Sequence, residues 1–325
     1  MKQLDVIGLG ATLIEQTARI RQMPKPQRAV ACASQQYGLV EGGGIGTLLT
    51  ILSRFGLKVG YVGKVAGDDF GVRLTKSLMN ARIDLSRCQI LPLAQSPWSW
   101  TLRDDSGQTL RVIFPNILSQ IDEAYLLACS QYLNACRLFV VEICGIPLAS
   151  CIMATEFVKA NGIPVVMKLS LPVRDIVETL QAGSVRELEE LLAFADVLMM
   201  TLESAAEISD QIEPEKMAAA IREKYVVPVI GIFDEAQGGF FESDEERFAL
   251  PPFPMAAATP RASADGFYAG ITYGMRRGWP LRETARFAQA CGALHGSPEG
   301  LISEANVMRF LAQQEHPETV AAPTE

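Results

Sequence analysis

A parallel α/β fold is what this sequence predicts, and three observations predict it. Short apolar runs alternate with helix-like patterns along most of the 325 residues, the signature of βαβ units in a parallel sheet. With 49% hydrophobic and 20% charged residues, the chain is large and apolar enough for one big domain plus an insertion. Two stretches break the rhythm with strand character of their own: Ala29 to Leu39 alternates polar and apolar residues, and Trp98 to Phe114 reads as a hairpin turning at Asp104-Asp105-Ser106-Gly107.

Taken in order, the strand candidates are Leu4 to Leu9, Lys58 to Val62, Leu138 to Val141, Pro164 to Met167, Val197 to Met200 and Val227 to Ile232. Each is short, apolar and bounded by polar or turn residues, as a strand covered on both faces requires. Helices fall between them, for example Glu187 to Ala193 and Pro214 to Lys224. A further helical pattern runs through Ile271, Tyr273, Gly274 and Met275, with a start expected near Ala264. His316 to Glu325, polar with two prolines, is expected to fray.

Composition bounds the function. A net charge of −8 argues against an electrostatic nucleic-acid surface. No apolar run is long enough to cross a bilayer, and Met1 to Asp5 leads into a strand-like segment that does not read as a signal peptide. The seven cysteines lie scattered in apolar stretches without a CxxC pair, and the histidines are only His295 and His316. That pattern speaks for free thiols in a reducing cytoplasm and against a zinc site.

Chemistry concentrates near the C-terminal end, at Arg261-Ala262-Ser263-Ala264-Asp265-Gly266-Phe267, where small residues lead into one acid. A helix starting there points its unpaired N–H groups and positive dipole end at the preceding turn, where a phosphate could sit. Asp265 would then accept a proton from an attacking hydroxyl. The plain alternative is an acid in a first helical turn, which the dipole favours anyway.

A second block, Glu41-Gly42-Gly43-Gly44-Ile45-Gly46-Thr47, is followed by Leu52 to Gly56, then Val59 to Val65 and Gly67-Asp68-Asp69-Phe70-Gly71. Taken with the Asp265 segment, the chain here resembles the PfkB/ribokinase family of carbohydrate kinases. The likeness runs from Asp5 to about Leu311. It implies a ribokinase-like three-layer α/β/α sandwich around a mostly parallel sheet, as a single domain over 1–314 with a tail at 315–325. It also implies a small β-sheet lid, formed by about 15–41 and 95–115, that often pairs two subunits.

The same resemblance implies ATP-dependent transfer of a phosphoryl group, with Mg²⁺, to a hydroxyl of a small sugar, nucleoside or related polyol. Asp265 would be the base, and the amides of Ala262, Ser263 and Ala264 the anion hole. Glu15, Gly42, Gly43, Thr47 and Glu142 would face the acceptor, Glu142 being equally readable as an acid at a strand end. Thr201, Asp234, Ala236, Gly239 and Gln289 would lie on the nucleotide side. Magnesium would be held through phosphate and water, with Ser204 its one candidate side chain.

Departures from the family pattern fall mostly on the nucleotide side. Ala-Ser-Ala replaces Gly-Ala-Gly ahead of Asp265, adding Cβ atoms where the backbone should approach phosphate closely. Thr201 and Ser204 stand where the family has Asn-x-x-Glu, Glu203 and Glu207 being the neighbouring acids, and Lys168 stands where an aspartate is common. Glu15 and Thr47 replace an aspartate and an asparagine on the acceptor side. Two classes therefore stay open: an active kinase, and a catalytically impaired relative that binds a ligand or a protein partner. A third, a donor other than ATP, fits the glycine blocks less well.

Overall fold

The computed structural model describes residues 3–25, 30–234, 238–253, 260–296 and 302–315, with backbone alone at 36–37, 260–263 and 315. In chain order the elements are β1 (Leu4–Leu9), β2 (Leu13–Ile20), β3 (Ala33–Gly42), α1 (Gly44–Arg54), β4 (Val59–Ala66), α2 (Asp69–Asn80) and β5 (Asp84–Leu91). There follow β6 (Trp98–Arg103), β7 (Thr109–Phe114), α3 (Glu123–Ala128), α4 (Ser130–Leu133), β8 (Cys136–Ile143), α5 (Leu148–Ala160), β9 (Val165–Leu169), α6 (Val185–Leu192) and β10 (Val197–Thr201). The chain continues through α7 (Leu202–Ser209), α8 (Pro214–Tyr225), β11 (Val229–Asp234), β12 (Gly238–Glu242), β13 (Arg247–Leu250), α9 (Pro260–Arg277), α10 (Leu281–Gly296) and α11 (Glu304–Glu315).

Among the described residues the large sheet has nine strands in the order β13-β12-β11-β10-β9-β8-β1-β4-β5. From β11 through to β5 neighbours are parallel, while β12 and β13 close the edge antiparallel. Strand order reverses at β1, which has β4 on one side and β8 on the other. The crevice at the C-terminal ends of such a switch point is where open α/β sheets bind ligands.

Alternating side chains along each strand feed two cores. On one face Ile7, Leu9, Phe139 and Val141 meet α3 to α8; on the other Val6, Leu138, Val140 and Val166 meet α1, α2, α9, α10 and α11. The result is the α/β/α sandwich with a mostly parallel sheet expected from sequence.

The rhythm-breaking stretches form a second sheet, β3-β2-β6-β7. β6 and β7 are the Trp98–Phe114 hairpin, its turn held by Asp104 accepting from the backbone N–H groups of Ser106 and Gln108. Trp98 stacks on Phe114 and meets Phe70 of α2 edge-on, so it is a packing residue. Asp68 caps α2 and ties it to the segment entering β6: its carboxylate accepts from Gly71 N–H at 2.8 Å and from the hydroxyl and N–H of Ser96 at 2.6 and 2.8 Å.

One boundary differs in a way that matters. α9 begins at Pro260, a full turn before the start expected near Ala264. Proline's fixed φ and missing N–H suit a first helical position. Ala29 and the expected tail from His316 to Glu325 lie outside the described residues.

Candidate active site

Glu142 on β8 and Lys168 on β9 are register partners in neighbouring parallel strands, so their side chains leave the sheet on the same face. That is the α9 face, as the burial of Val140 and Val166 against α9 and α10 shows. There the Lys168 ammonium donates to Glu142 Oε1 at 3.0 Å and to Asp265 Oδ1 at 2.6 Å. All three side chains are buried, at 3%, 6% and 7% exposure for Lys168, Glu142 and Asp265. The ammonium also lies 5.1 Å from the centre of the Tyr268 ring, one turn along α9 from Asp265.

The second oxygen of Glu142 turns toward the switch point. Oε2 accepts from Ala11 N–H, just past β1, at 3.2 Å and from Ile45 N–H in the first turn of α1 at 3.0 Å. A carboxylate here satisfies orphan donors at the positive end of the helix. The close approach needs glycine: a Cβ on Gly44, whose φ is +32°, would lie 2.0 Å from either carboxylate oxygen. Gly43, at φ +57°, likewise leaves room for Leu13 against the start of α1.

Electrostatics follow from one ammonium serving two carboxylates. Burial would lower the Lys168 ammonium, but the Asp265 and then the Glu142 carboxylate hold it well above the ordinary lysine value. Burial pushes the Glu142 carboxyl above its ordinary value; Lys168 opposes that push and Asp265 adds to it.

The other residues expected to face the acceptor lie on β2, at the β3–α1 junction and in α1. Gly42 and Gly43 join β3 to α1, Thr47 lies in the first turns of α1, and Thr12 donates its hydroxyl to Gly42 O at 3.1 Å. Glu15 shares its face of β2 with Leu13, which packs on Gly43, and lies 3.9 Å from Arg111 of β7. Glu142, by contrast, has both oxygens engaged within the chain, in a structural role at the strand end and at the start of α1.

The residues expected on the nucleotide side are brought together only in part. Gly239 of β12 sits beside Gln289 of α10, whose amide donates to Leu250 O at 3.1 Å. Asp234 ends β11, and Ala236 lies outside the described residues. The expected anion hole is displaced by the early start of α9. A helix beginning at Pro260 leaves the N–H groups of Arg261 and Ala262 without an intrahelical acceptor, but draws that of Ala264 into the ladder.

Ser204 does not suit a metal shell. It is fully buried, donates its hydroxyl to Leu171 O at 3.1 Å, and pairs with Thr201, the N-cap of α7, at 2.8 Å. Neither nearby acid replaces a carboxylate there. Glu207 accepts from the N–H groups of Val173 and Arg174, and Glu203 lies exposed against Arg174. Among the described residues no cluster of three or more His, Cys, Asp or Glu forms a metal site.

The family model described as pfkB family carbohydrate kinase matches residues 1–306. The chain belongs to that family. It is 21% identical over 350 residues to the 5-dehydro-2-deoxygluconokinase of Clostridium tetani, covering 98% of this chain and 96% of that one. Among solved structures, Thermotoga maritima ribokinase superposes with a TM-score of 0.78 at 17% identity, covering 95% of this chain and 99% of its own. Arabidopsis thaliana ribokinase, complexed with ribose and ATP, gives 0.76 at 16%, covering 95% and 98%. The ribokinase-like fold is thus shared.

Sequence reasoning missed the partnership at this family member's centre. Lys168 stood out only as a departure from aspartate. The signal available was a lysine inside the apolar run Val165-Val166-Met167-Lys168-Leu169, since a strand buried on both faces keeps a charge only where a counter-charge awaits it.

Proposed function

We propose that the protein is an ATP-dependent kinase that transfers a phosphoryl group to a hydroxyl of a small sugar, nucleoside or related polyol, with Asp265 as general base. One observation carries this reading. Asp265 stands in the early turns of α9, over the C-terminal ends of β8 and β9, with Oδ1 bound to Lys168 and no hydrogen bond to Oδ2 among the described residues. A nearly buried carboxylate with one oxygen engaged and one in reserve suits proton abstraction in a water-poor site.

Bound Mg·ATP supplies the transferable phosphoryl and its counter-charge. The residues that would hold it are Arg261 and Ala262, through their free N–H groups, and the Gly239–Gln289 corner. Magnesium would rest on phosphate and water oxygens, because Ser204 is spent on the cap of α7. The acceptor would lie between Asp265, the Gly42–Thr47 turn and the inner face of the small sheet, where Glu15 is close to Arg111.

We further propose that residues 1–314 act as one unit, with the small sheet (about 15–41 and 95–115) as a lid over the acceptor. The lid's outer face supports a homodimer. Trp100 and Val112 are register partners there, 39% and 37% exposed, with Leu110 beside them at 47%. The cytoplasm is the proposed compartment, in keeping with seven free cysteines, five of them buried.

A second reading has its own support. The engagement of Asp265 Oδ1 by the Lys168 ammonium and the lack of a carboxylate at position 204 fit a catalytically impaired module that binds a ligand or regulates a partner. ADP release from Mg·ATP over pooled sugars and nucleosides decides between them, with Asp265→Asn alongside. Acceptor-dependent turnover that vanishes in the variant supports the kinase. Absence of turnover, together with no thermal stabilisation by Mg·ATP, supports the binding module.

A further inference from the structure

Lys168 donates to Glu142 Oε1 and to Asp265 Oδ1, and its ammonium lies 5.1 Å from the centre of the Tyr268 ring. Two of its three hydrogens are thus spent on carboxylates, and the side chain is only 3% exposed. What it grips is the base, and it does so from a side chain itself fixed by β9 and by Glu142, which is anchored in turn to Ala11 and the first turn of α1.

We propose that Lys168 is a positioning residue for phosphoryl transfer: by holding Asp265 through Oδ1 it fixes the carboxylate's rotation and presents Oδ2 to the acceptor hydroxyl. The inference rests on the kinase reading above. In the step it serves, the acceptor O–H bond breaks and its proton passes to Asp265 Oδ2. The acceptor oxygen bonds the γ-phosphorus, and the bond from that phosphorus to the bridging oxygen breaks, leaving the nucleoside diphosphate with the electron pair. Lys168 keeps its proton throughout. Glu142 links the same assembly to the glycine turn at the start of α1, so base and acceptor floor are set by one continuous network.

A lysine that only balanced charge would be dispensable once the balance was restored by other means. A lysine that aims the base would not. The double variant Lys168→Met/Glu142→Gln carries the same net charge at the triad as the native protein, and Glu142→Gln alone is its reference. Steady-state kinetics on the full chain, with the acceptor found in the pooled assay, should show kcat of the double variant about 100-fold below that reference, with acceptor KM within about 3-fold. Lys168→Arg keeps the cation but moves its donors, and should fold and lose about 10-fold in kcat. A kcat within about 3-fold of its reference in either variant overturns the inference, the reference for Lys168→Arg being the native protein. Native protein without acceptor-dependent turnover overturns the kinase reading, and the inference with it. Native turnover with unaffected variants removes the inference alone.

Discussion

Glu142→Ala is the sharpest test of whether the buried triad holds the fold together. The substitution deletes the acceptor of two backbone N–H groups, those of Ala11 and Ile45, and one of the two carboxylates on Lys168. A buried donor left unsatisfied costs about 1–3 kcal/mol, and removing one partner of a buried ion pair about 3–5 kcal/mol. These losses overlap, because Lys168 retains Asp265 and because water can enter the space vacated beside the start of α1. The expected net is therefore about 3–5 kcal/mol, the range of the ion-pair loss alone, with no simple sum. Urea unfolding followed by circular dichroism and tryptophan fluorescence measures it, coincident curves justifying a single free energy. Glu203→Ala is the control, because the Glu203–Arg174 pair lies open to solvent at 65% and 63% exposure and should matter by less than about 1 kcal/mol. A loss below about 1 kcal/mol for Glu142→Ala would refute the view of Glu142 as the anchor joining β1, β8, β9 and α1.

The triad and the α2 cap carry opposite pH signatures. The folded-state Lys168 ammonium is held above the ordinary value of 10.5, so its contribution is complete below that pH and drains away as pH rises toward the folded value. Urea melts between about pH 9 and about pH 11 should therefore lose stability more steeply in the native protein than in Lys168→Met. Burial alone would raise the Asp68 carboxyl, but hydrogen bonds from Ser96 and Gly71 hold it below the ordinary 3.8. Its contribution is present above that value and is lost as pH falls through the folded one, so Asp68→Asn should flatten the acid limb of the melt series.

How far the sequence disclosed the fold depended on where charged residues interrupt the strands. β1 reads in full because its one charge, Asp5, lies at its start and apolar residues and glycine follow to Leu9, and β10 reads to within one residue because it is an unbroken apolar run as far as Thr201. Expected from 58 to 62, β4 extends to Ala66. Its break is Lys64, a buried lysine whose ammonium lies 4.8 Å from the Tyr125 ring and 3.8 Å from Asp122. β8 continues past Val141 through Glu142, and β9 past Met167 through Lys168. In each case the charge that looks like a strand end is satisfied by a partner far away in the chain, Asp265 lying 97 residues from Lys168. Local pattern cannot supply that information, because it appears only once the strands are side by side.

The same logic bears on the site. Asp265 and the glycine turn were legible because their chemistry is local: an acid near a helix start, and backbone that must pass close to a neighbour. The triad was not, because it joins residues from three elements. The two departures that looked like separate losses also have a common electrostatic direction. On the proposed kinase reading, an ammonium stands where the resemblance implies an acid, and a hydroxyl buried in a helix cap stands where it implies a carboxylate, so fixed negative charge would be withdrawn from the proposed phosphate side while a fixed cation lies against the proposed base. A metal-bound polyphosphate would then meet less repulsion from the protein, and the base would be aimed by a side chain whose charge no solvent shell shares. On that account the altered residues form one rebalanced site, and restoring a carboxylate at 204 without removing Lys168 would undo the balance. Ser204→Glu should cost stability outright, since the hydroxyl it replaces is fully buried and donates to Leu171 O, whereas a carboxylate there would set an acceptor against that carbonyl.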